Sequence, residues 1–280
     1  MSWLQITATG PLTTVQDRGR PGWASVGVGQ SGAADLPSHD AANRLVGNTI
    51  GAATLEVTLG GLVFRPHGDI YLAVTGAPAR ASVDGVPMGH GTSQAVQSGA
   101  TVSLEYAESG LRTYVAVRGG VSVAPVLGSR STDSLSGIGP SRVQAGDALP
   151  VGRDVDKWPS VDVNPYDVQL GSLLHVVLGP RADWFTDTAQ LFDQEWTVGT
   201  DSDRVGMKLE GRPLSRRSGE LASEGMVTGA LQVPPSGQPV LFLADHPVTG
   251  GYPVIGVVVS GDIPRAAQYV PGHTFTFSRS

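Results

Sequence analysis

Hydrophobic positions along this chain gather into short runs, at Ile70–Thr75, Thr101–Tyr106, Thr113–Val117, Leu173–Leu178, Val240–Leu243, Val254–Val259 and Thr274–Phe277. Each run has the length of a β-strand and is bounded by Gly, Pro, Asp or Ser, so each predicts a strand between turns. A turn-then-strand phrase recurs, as QSGATVSLEY from Gln97, QAGDALPVG from Gln144 and VPGHTFTFS from Val270. It reads as a repeated device of barrel type. Helical spacing is confined to three segments. Leu36–Val46 follows an Asp35 N-cap and ends at Gly47–Asn48, with Ala41, Ala42 and Leu45 on one side. Trp184–Phe192 follows Asp183, and Asp262–Tyr269 carries Pro264 in its first turn. Many strands and few helices predict a mainly β chain built of barrels. A stretch rich in Pro, Asp and Gly, Val151–Pro165, reads as a linker between an N-terminal domain over 1–155 and a C-terminal domain over 164–280.

Composition sharpens this picture and removes several chemistries. Among 280 residues there are 38 glycines and 20 prolines, with 16% charged residues, which suits short strands and many turns. Lys and Arg number 19 against 25 Asp and Glu, a net charge of −6 that argues against nucleic acid or an anionic membrane as partner. No cysteine is present, which excludes disulfides, a thiolate nucleophile and a thiolate-bound metal. The six histidines show neither an HExxH pattern nor close pairs, so no metal is expected. The N-terminus MSWLQITATG lacks the pattern of a secretory signal, and no run approaches the roughly 18 apolar residues of a membrane span, so a soluble, cytoplasmic protein is expected.

Two segments carry most of the candidate chemistry. In Gly10–Asn48, the residues Gln16, Asp17, Arg18, Arg20, Ser31, Asp35, His39 and Asn43 lie among glycines that let backbone N–H groups approach a ligand. The alternative is an ordinary looped surface. In ADHPVTGGYPVIG, Ala244–Gly256, Asp245 and His246 are chemically capable, and Thr249, Gly250, Gly251 and Tyr252 supply a hydroxyl, two unhindered amides and a phenol. That loop either binds an anion or polarises a carbonyl, or is a tight turn in which Tyr252 packs. Asp203-Arg204 is either a structural ion pair or a clamp for carboxylate or phosphate. Arg118, before a double glycine, presents its guanidinium to a cleft or closes a rim salt bridge. Glu56 is partly buried with an Arg partner or faces outward on an edge strand. Ser129-Arg130-Ser131-Thr132 and Glu224 complete the set. There is no GxxxxGK[ST] loop and no GxSxG elbow, and Lys157 and Lys208 are the only lysines. Lys208 lies in a Met-Lys-Leu context without a biotinyl-domain pattern, so no biotin is expected on this chain.

The runs TTVQDRGRPGW, SGAAD, AANRLVGN, LEVTLGG, TGAPA, YVAVRGG, LGSRST, SDRVGMKLEG, SEGMVTGALQVPPSGQPV and ADHPVTGGYPVIG, in that order, resemble the family called allophanate hydrolase subunit 2. Its members are also called C subunits of 5-oxoprolinase and biotin-dependent carboxyltransferase proteins. The resemblance implies two β-barrel domains related to the cyclophilin fold. It implies a complex with a B-subunit-like protein and a lactam-opening A-type subunit, converting 5-oxo-L-proline to L-glutamate with ATP hydrolysis. On that reading Asp245, Tyr252 and Asp17 are the catalytic candidates, Asp245 for proton transfer and Asp17 orienting Arg20. Gln16, Arg20, Ser31, Asn43, Arg118, Arg204, Thr249, Gly250 and Gly251 are the candidates for binding substrate or phosphate, with ATP at or near the interface with the B-subunit-like protein. Two other readings follow from the same family. One is a carboxyltransferase component of a biotin-dependent urea carboxylase system. The other is a binding protein that antagonises an inhibitor of a sporulation histidine kinase.

Overall fold

The computed structural model describes residues 2–159, 163, 164, 168, 170–219 and 221–280. These form two compact units. The first comprises residues 1–20, 35–133 and 137–168, and the second comprises 21–34, 134–136 and 169–280. Two short excursions from the N-terminal half of the sequence are therefore parts of the second unit.

The first unit holds a six-stranded antiparallel sheet in the order Ala148–Pro150, Trp3–Thr9, Leu62–His67, Val102–Ala107, Ala79–Val83, Val86–Met88. A five-stranded antiparallel sheet runs Leu12–Gln16, Thr54–Thr58, Arg112–Val117, Ile70–Gly76, Ser93–Val96. Alternation sets the inward faces: Leu4 and Ile6 are buried while Trp3 and Gln5 are not. They join Leu55, Val57, Phe64, Leu72, Val74, Val115 and Val117 in one core. Strand Arg112–Val117 is buried along its whole length because the helix Leu36–Leu45 packs against it and against Ile70–Gly76. That helix starts where its cap predicts. Asp35 accepts from Ser38 N at 3.1 Å and from Ser38 Oγ at 2.7 Å, and Pro37 stands in the first turn.

In the second unit seven strands close a barrel, in the order Leu173–Leu178, Val254–Val258, Ala230–Gln232, Val240–Phe242, Gly206–Glu210, Glu195–Val198, Thr274–Arg279. Closure is by parallel pairing of the first and last of these, Leu173 opposite Thr276 and Leu174 opposite Phe277. Trp196, Phe275, Leu174, Val176, Leu209, Leu231, Leu241 and Ile255 fill the interior, and Trp196 Nε1 donates to Leu191 O at 2.9 Å. Outside the barrel, Glu224–Gly225 and Thr249–Gly250 pair as a two-stranded ribbon.

Mainly β architecture with few short helices is thus as expected, and all seven predicted runs are strands. The repeated phrase has a physical basis. In each copy the fourth residue donates back to the first, Ala100 to Gln97, Asp147 to Gln144 and His273 to Val270. The third residue is a glycine at positive φ, Gly99 at 84°, Gly146 at 98° and Gly272 at 85°.

Two helix expectations are corrected. Over Trp184–Phe192 there are only the 3-10 turns Ala182–Trp184 and Thr188–Leu191. Phe185 between them is extended and bridges to Arg216, and Asp187 starts a separate turn by accepting from Ala189 N at 2.8 Å. Over Asp262–Tyr269 the helix is Ile263–Ala266 alone, after a 3-10 turn Ser260–Asp262. Asp262 does not cap it, because its carboxylate accepts from His175 N at 2.7 Å and Nδ1 at 2.9 Å. Of the stretch read as a linker, 160–162 and 165 lie outside the described residues. Within the remainder Val151 bridges to Val121, Val155 to Asn48 and Val163 to Thr92, all in the first unit.

Candidate functional site

The segment Ala244–Pro253 links strands Val240–Phe242 and Val254–Val258 at one end of the barrel unit. Asp245 lies at its start and is buried. Arg204 grips it with both faces of its fork, Nε to Oδ2 at 2.9 Å and Nη2 to Oδ1 at 2.9 Å. Ser31 Oγ donates to Oδ1 at 2.7 Å, and Ser134 donates to Oδ2 from N at 2.9 Å and Oγ at 2.7 Å. Burial pushes this carboxyl up, but the charge of Arg204 and the hydrogen bonds from Arg204, Ser134 and Ser31 outweigh it and hold Asp245 below its ordinary value. A carboxylate so saturated is an anchor. The partner of Arg204 is Asp245 and not its neighbour Asp203, whose Oδ1 accepts from Val205 N at 2.8 Å and Gly206 N at 3.1 Å. Ser31, held at φ 54°, is an arm of the same anchor.

Beside Asp245, His246 is half-buried. Its Nδ1 lies 2.8 Å from Pro247 O, and its ring stacks on Phe242 with centroids 6.0 Å apart. Further along, Thr249, Gly251 and Tyr252 are exposed. Arg216 lies 5.9 Å over the Tyr252 ring, in cation–π geometry. Gly250 is not a positive-φ residue. It is needed for space, because a Cβ there would overlap Gln232 Nε2, which donates to Tyr252 O at 3.2 Å. Glu224, opposite Gly250 in the ribbon, is bound by the fork of Arg181. The mutual charge and hydrogen bonding of this pair lower the Glu224 pKa and raise that of Arg181.

The Gln16–Arg20 segment belongs to the first unit and is largely buried there. Asp17 does not orient Arg20. It accepts from Ser129 Oγ, Ser131 Oγ and Arg130 N, each at 2.6 Å, and from Gly19 N at 2.8 Å. Arg20, 1% exposed, donates from Nη2 to Ser131 O, while its Nε and Nη1 have no partner among the described residues. Gln16 Nε2 donates to Thr132 O at 2.9 Å and Thr14 Oγ1 at 3.0 Å. The segment therefore ties strand Leu12–Gln16 to residues 129–132.

Asn43 and Arg118 finish the helix Leu36–Leu45. Asn43 Nδ2 donates to Ala52 O at 2.8 Å, and its Oδ1 accepts from Asn48 Nδ2 at 2.9 Å. Arg118 Nη1 donates to Val46 O at 2.7 Å and Gly47 O at 2.9 Å, a cation on the helix C-terminus, and its guanidinium stacks 4.1 Å over Trp158. Arg118 makes no salt bridge among the described residues, and with Tyr71, Arg153 and Trp158 it lines a surface cavity of the first unit. Glu56 is buried, 3.6 Å from Arg112 Nε, and accepts from Tyr114 Oη at 2.7 Å. Lys208 is exposed and pairs with Asp201 at 3.0 Å.

Tertiary structure thus assembles Ser31, Arg204 and Asp245, and exposes Thr249, Gly251 and Tyr252 in the same unit. Gln16, Asp17, Arg20, Asn43 and Arg118 are in the other unit, as framework. Ser134, Arg181 and Arg216 were missed by sequence reasoning, and no local signal marks them. Among the described residues there is no cluster of three metal-ligating side chains, and no helix is long and apolar enough to cross a membrane.

Comparison with known proteins agrees with the architecture. A family model for the carboxyltransferase domain, subdomains A and B, matches residues 26–279. The 5-oxoprolinase C subunit of Escherichia coli is 36% identical over 281 residues, covering 98% of this chain and 90% of the relative. The 5-oxoprolinase C subunit of Haemophilus influenzae is 32% identical over 270 residues, 94% of this chain and 87% of the relative. Among solved structures, the K. lactis urea amidolyase superposes with a TM-score of 0.91 at 26% identity, over 99% of this chain and 18% of that one. With the closed barrel of the second unit and every strand of the first except Trp3–Thr9 and Leu12–Gln16 inside the family match, the chain belongs to the carboxyltransferase domain family, subdomains A and B.

Proposed function

We propose that this chain is one component of a heteromeric, ATP-dependent 5-oxoprolinase, acting with a B-subunit-like protein and a lactam-opening A-type subunit in the cytoplasm. The observation that carries the reading is its collinear match to the E. coli 5-oxoprolinase C subunit, which takes in 90% of that relative. A lactam carbonyl is resonance-stabilised, so opening it calls for activation by a phosphoryl donor and for groups that hold anionic oxygens. The exposed Thr249 hydroxyl, the Gly251 amide, Tyr252 and Arg216 suit that task in the second unit. Asp245 serves it as the anchor that holds the turn, with Arg204 and Ser31, instead of moving protons itself. In this reading ATP lies at or near the interface with the B-subunit-like protein.

The test mixes this chain with both partners and measures glutamate release and 5-oxoproline-dependent ATP hydrolysis. Turnover in the mixture alone is the expected result, and turnover by the isolated chain overturns the dependence on partners. The likeness to urea amidolyase supports a second reading, carboxyl transfer to a urea nitrogen. Supplying a biotinylated carrier with bicarbonate and urea, in place of 5-oxoproline, separates the two.

A further inference from the structure

Within the ADHPVTGGYP turn, proton chemistry has two candidate owners, and the structure separates them. Asp245 has both oxygens occupied by Arg204, Ser31 and Ser134. His246 is different. Its Nδ1 is 2.8 Å from the carbonyl oxygen of Pro247, and a carbonyl only accepts, so Nδ1 carries the proton. In the neutral ring the lone pair is then on Nε2, which hydrogen-bonds to no described residue. Parallel stacking on Phe242 fixes the plane of the ring. The turn itself is held on both sides, since Asp245 N donates to Arg204 O at 2.9 Å and Leu243 N to Val205 O at 3.0 Å.

The geometry points to His246 as the proton-transfer group of this turn, with the Arg204–Asp245 pair as its positioning element. The assignment rests on the 5-oxoprolinase reading above. Once the phosphoryl donor has placed its phosphoryl group on the lactam oxygen, a water oxygen bonds to the carbonyl carbon and the proton released from that water passes to Nε2. As the ring C–N bond breaks, the nitrogen takes the proton from Nε2, the new hydroxyl loses its proton to solvent, and the acyl phosphate left is hydrolysed by a second water to carboxylate and inorganic phosphate. One imidazole with a fixed tautomer thus serves both halves of the step and ends as it began.

His246→Asn tests this, because an Asn amide keeps a donor near the Nδ1 position and removes the Nε2 lone pair. In the assembled complex kcat falls by about 100-fold or more, KM stays near the wild-type value, and a loss within about threefold overturns the assignment. Recovery of kcat by free imidazole supports it, and an unchanged thermal unfolding profile excludes simple misfolding. If the wild-type mixture releases no glutamate, the functional reading fails and the nitrogen-15 spectrum of the isolated full chain decides. A neutral ring protonated on Nδ1, with Nε2 carbethoxylated by diethyl pyrocarbonate, supports the assignment. A ring protonated on Nε2, or an Nε2 inert to the reagent, overturns it.

Discussion

Arg204 and Asp245 meet side-on through two 2.9 Å hydrogen bonds, both side chains essentially without solvent contact. Such a pair offsets its desolvation only while both members are present, so removing one leaves a buried charge uncompensated. Arg20 offers an internal comparison, since it is equally buried but donates to a single carbonyl.

Arg204→Met should therefore destabilise the chain by about 3–5 kcal/mol. Arg20→Met, which strands a carbonyl and no carboxylate, should cost less, about 1–3 kcal/mol. Urea denaturation of the two variants against wild type makes the comparison. Equal losses would show that the stranded Asp245 carboxylate is not what sets the cost.

Acid should dissolve the same anchor. An aspartate in the unfolded chain titrates near about 3.9, and Asp245 in the folded chain lies lower. The unfolded state thus binds the proton first on acidification. The stabilisation is complete above the unfolded value and is lost as the pH falls through the folded one. The difference in Tm between wild type and Asp245→Asn should be constant near neutrality and narrow below about pH 4. A gap that closes above about pH 5 contradicts the assignment.

At Gly250 the constraint is space. Gly250→Ala should displace the Gln232 side chain from Tyr252 O and cost about 1 kcal/mol, and Gln232→Ala in the same chain should recover part of that loss. Tyr252→Ala, at an exposed site, should change stability by no more than about 0.5 kcal/mol while lowering activity of the complex. Additive stability losses at 250 and 232 would mean that the two side chains do not compete.

Arg118→Ala removes a helix C-terminal cation and the stacking partner of Trp158 together. A loss of about 1–2 kcal/mol is expected, with a red shift in tryptophan emission as Trp158 becomes more solvated. Arg118→Lys should retain the helix-end charge and lose the planar stacking. An unaltered emission spectrum in both variants would remove Trp158 from the account.

Much of the scaffold is legible along the chain because its causes are local. Strand alternation at Leu173–Leu178, the Asp35 cap three residues before Ser38 N, and glycines 99, 146 and 272 at the third position of their turns each act over a few residues. The failures have distant causes. Phe185 leaves its helical pattern to bridge Arg216, and Asp262 abandons its cap position for His175, 87 residues away. The candidate site is governed in the same way. In DHPVTGGYP the aspartate and histidine look equally able to move a proton. Which one is free depends on Arg204, Ser134 and Ser31, at sequence separations of 41, 111 and 214 from Asp245. Residue type determines what a side chain is able to do, and a local pattern determines the strand or turn that bears it. Protonation and availability are set by burial and by charges and donors brought in from elsewhere, which only the folded chain supplies.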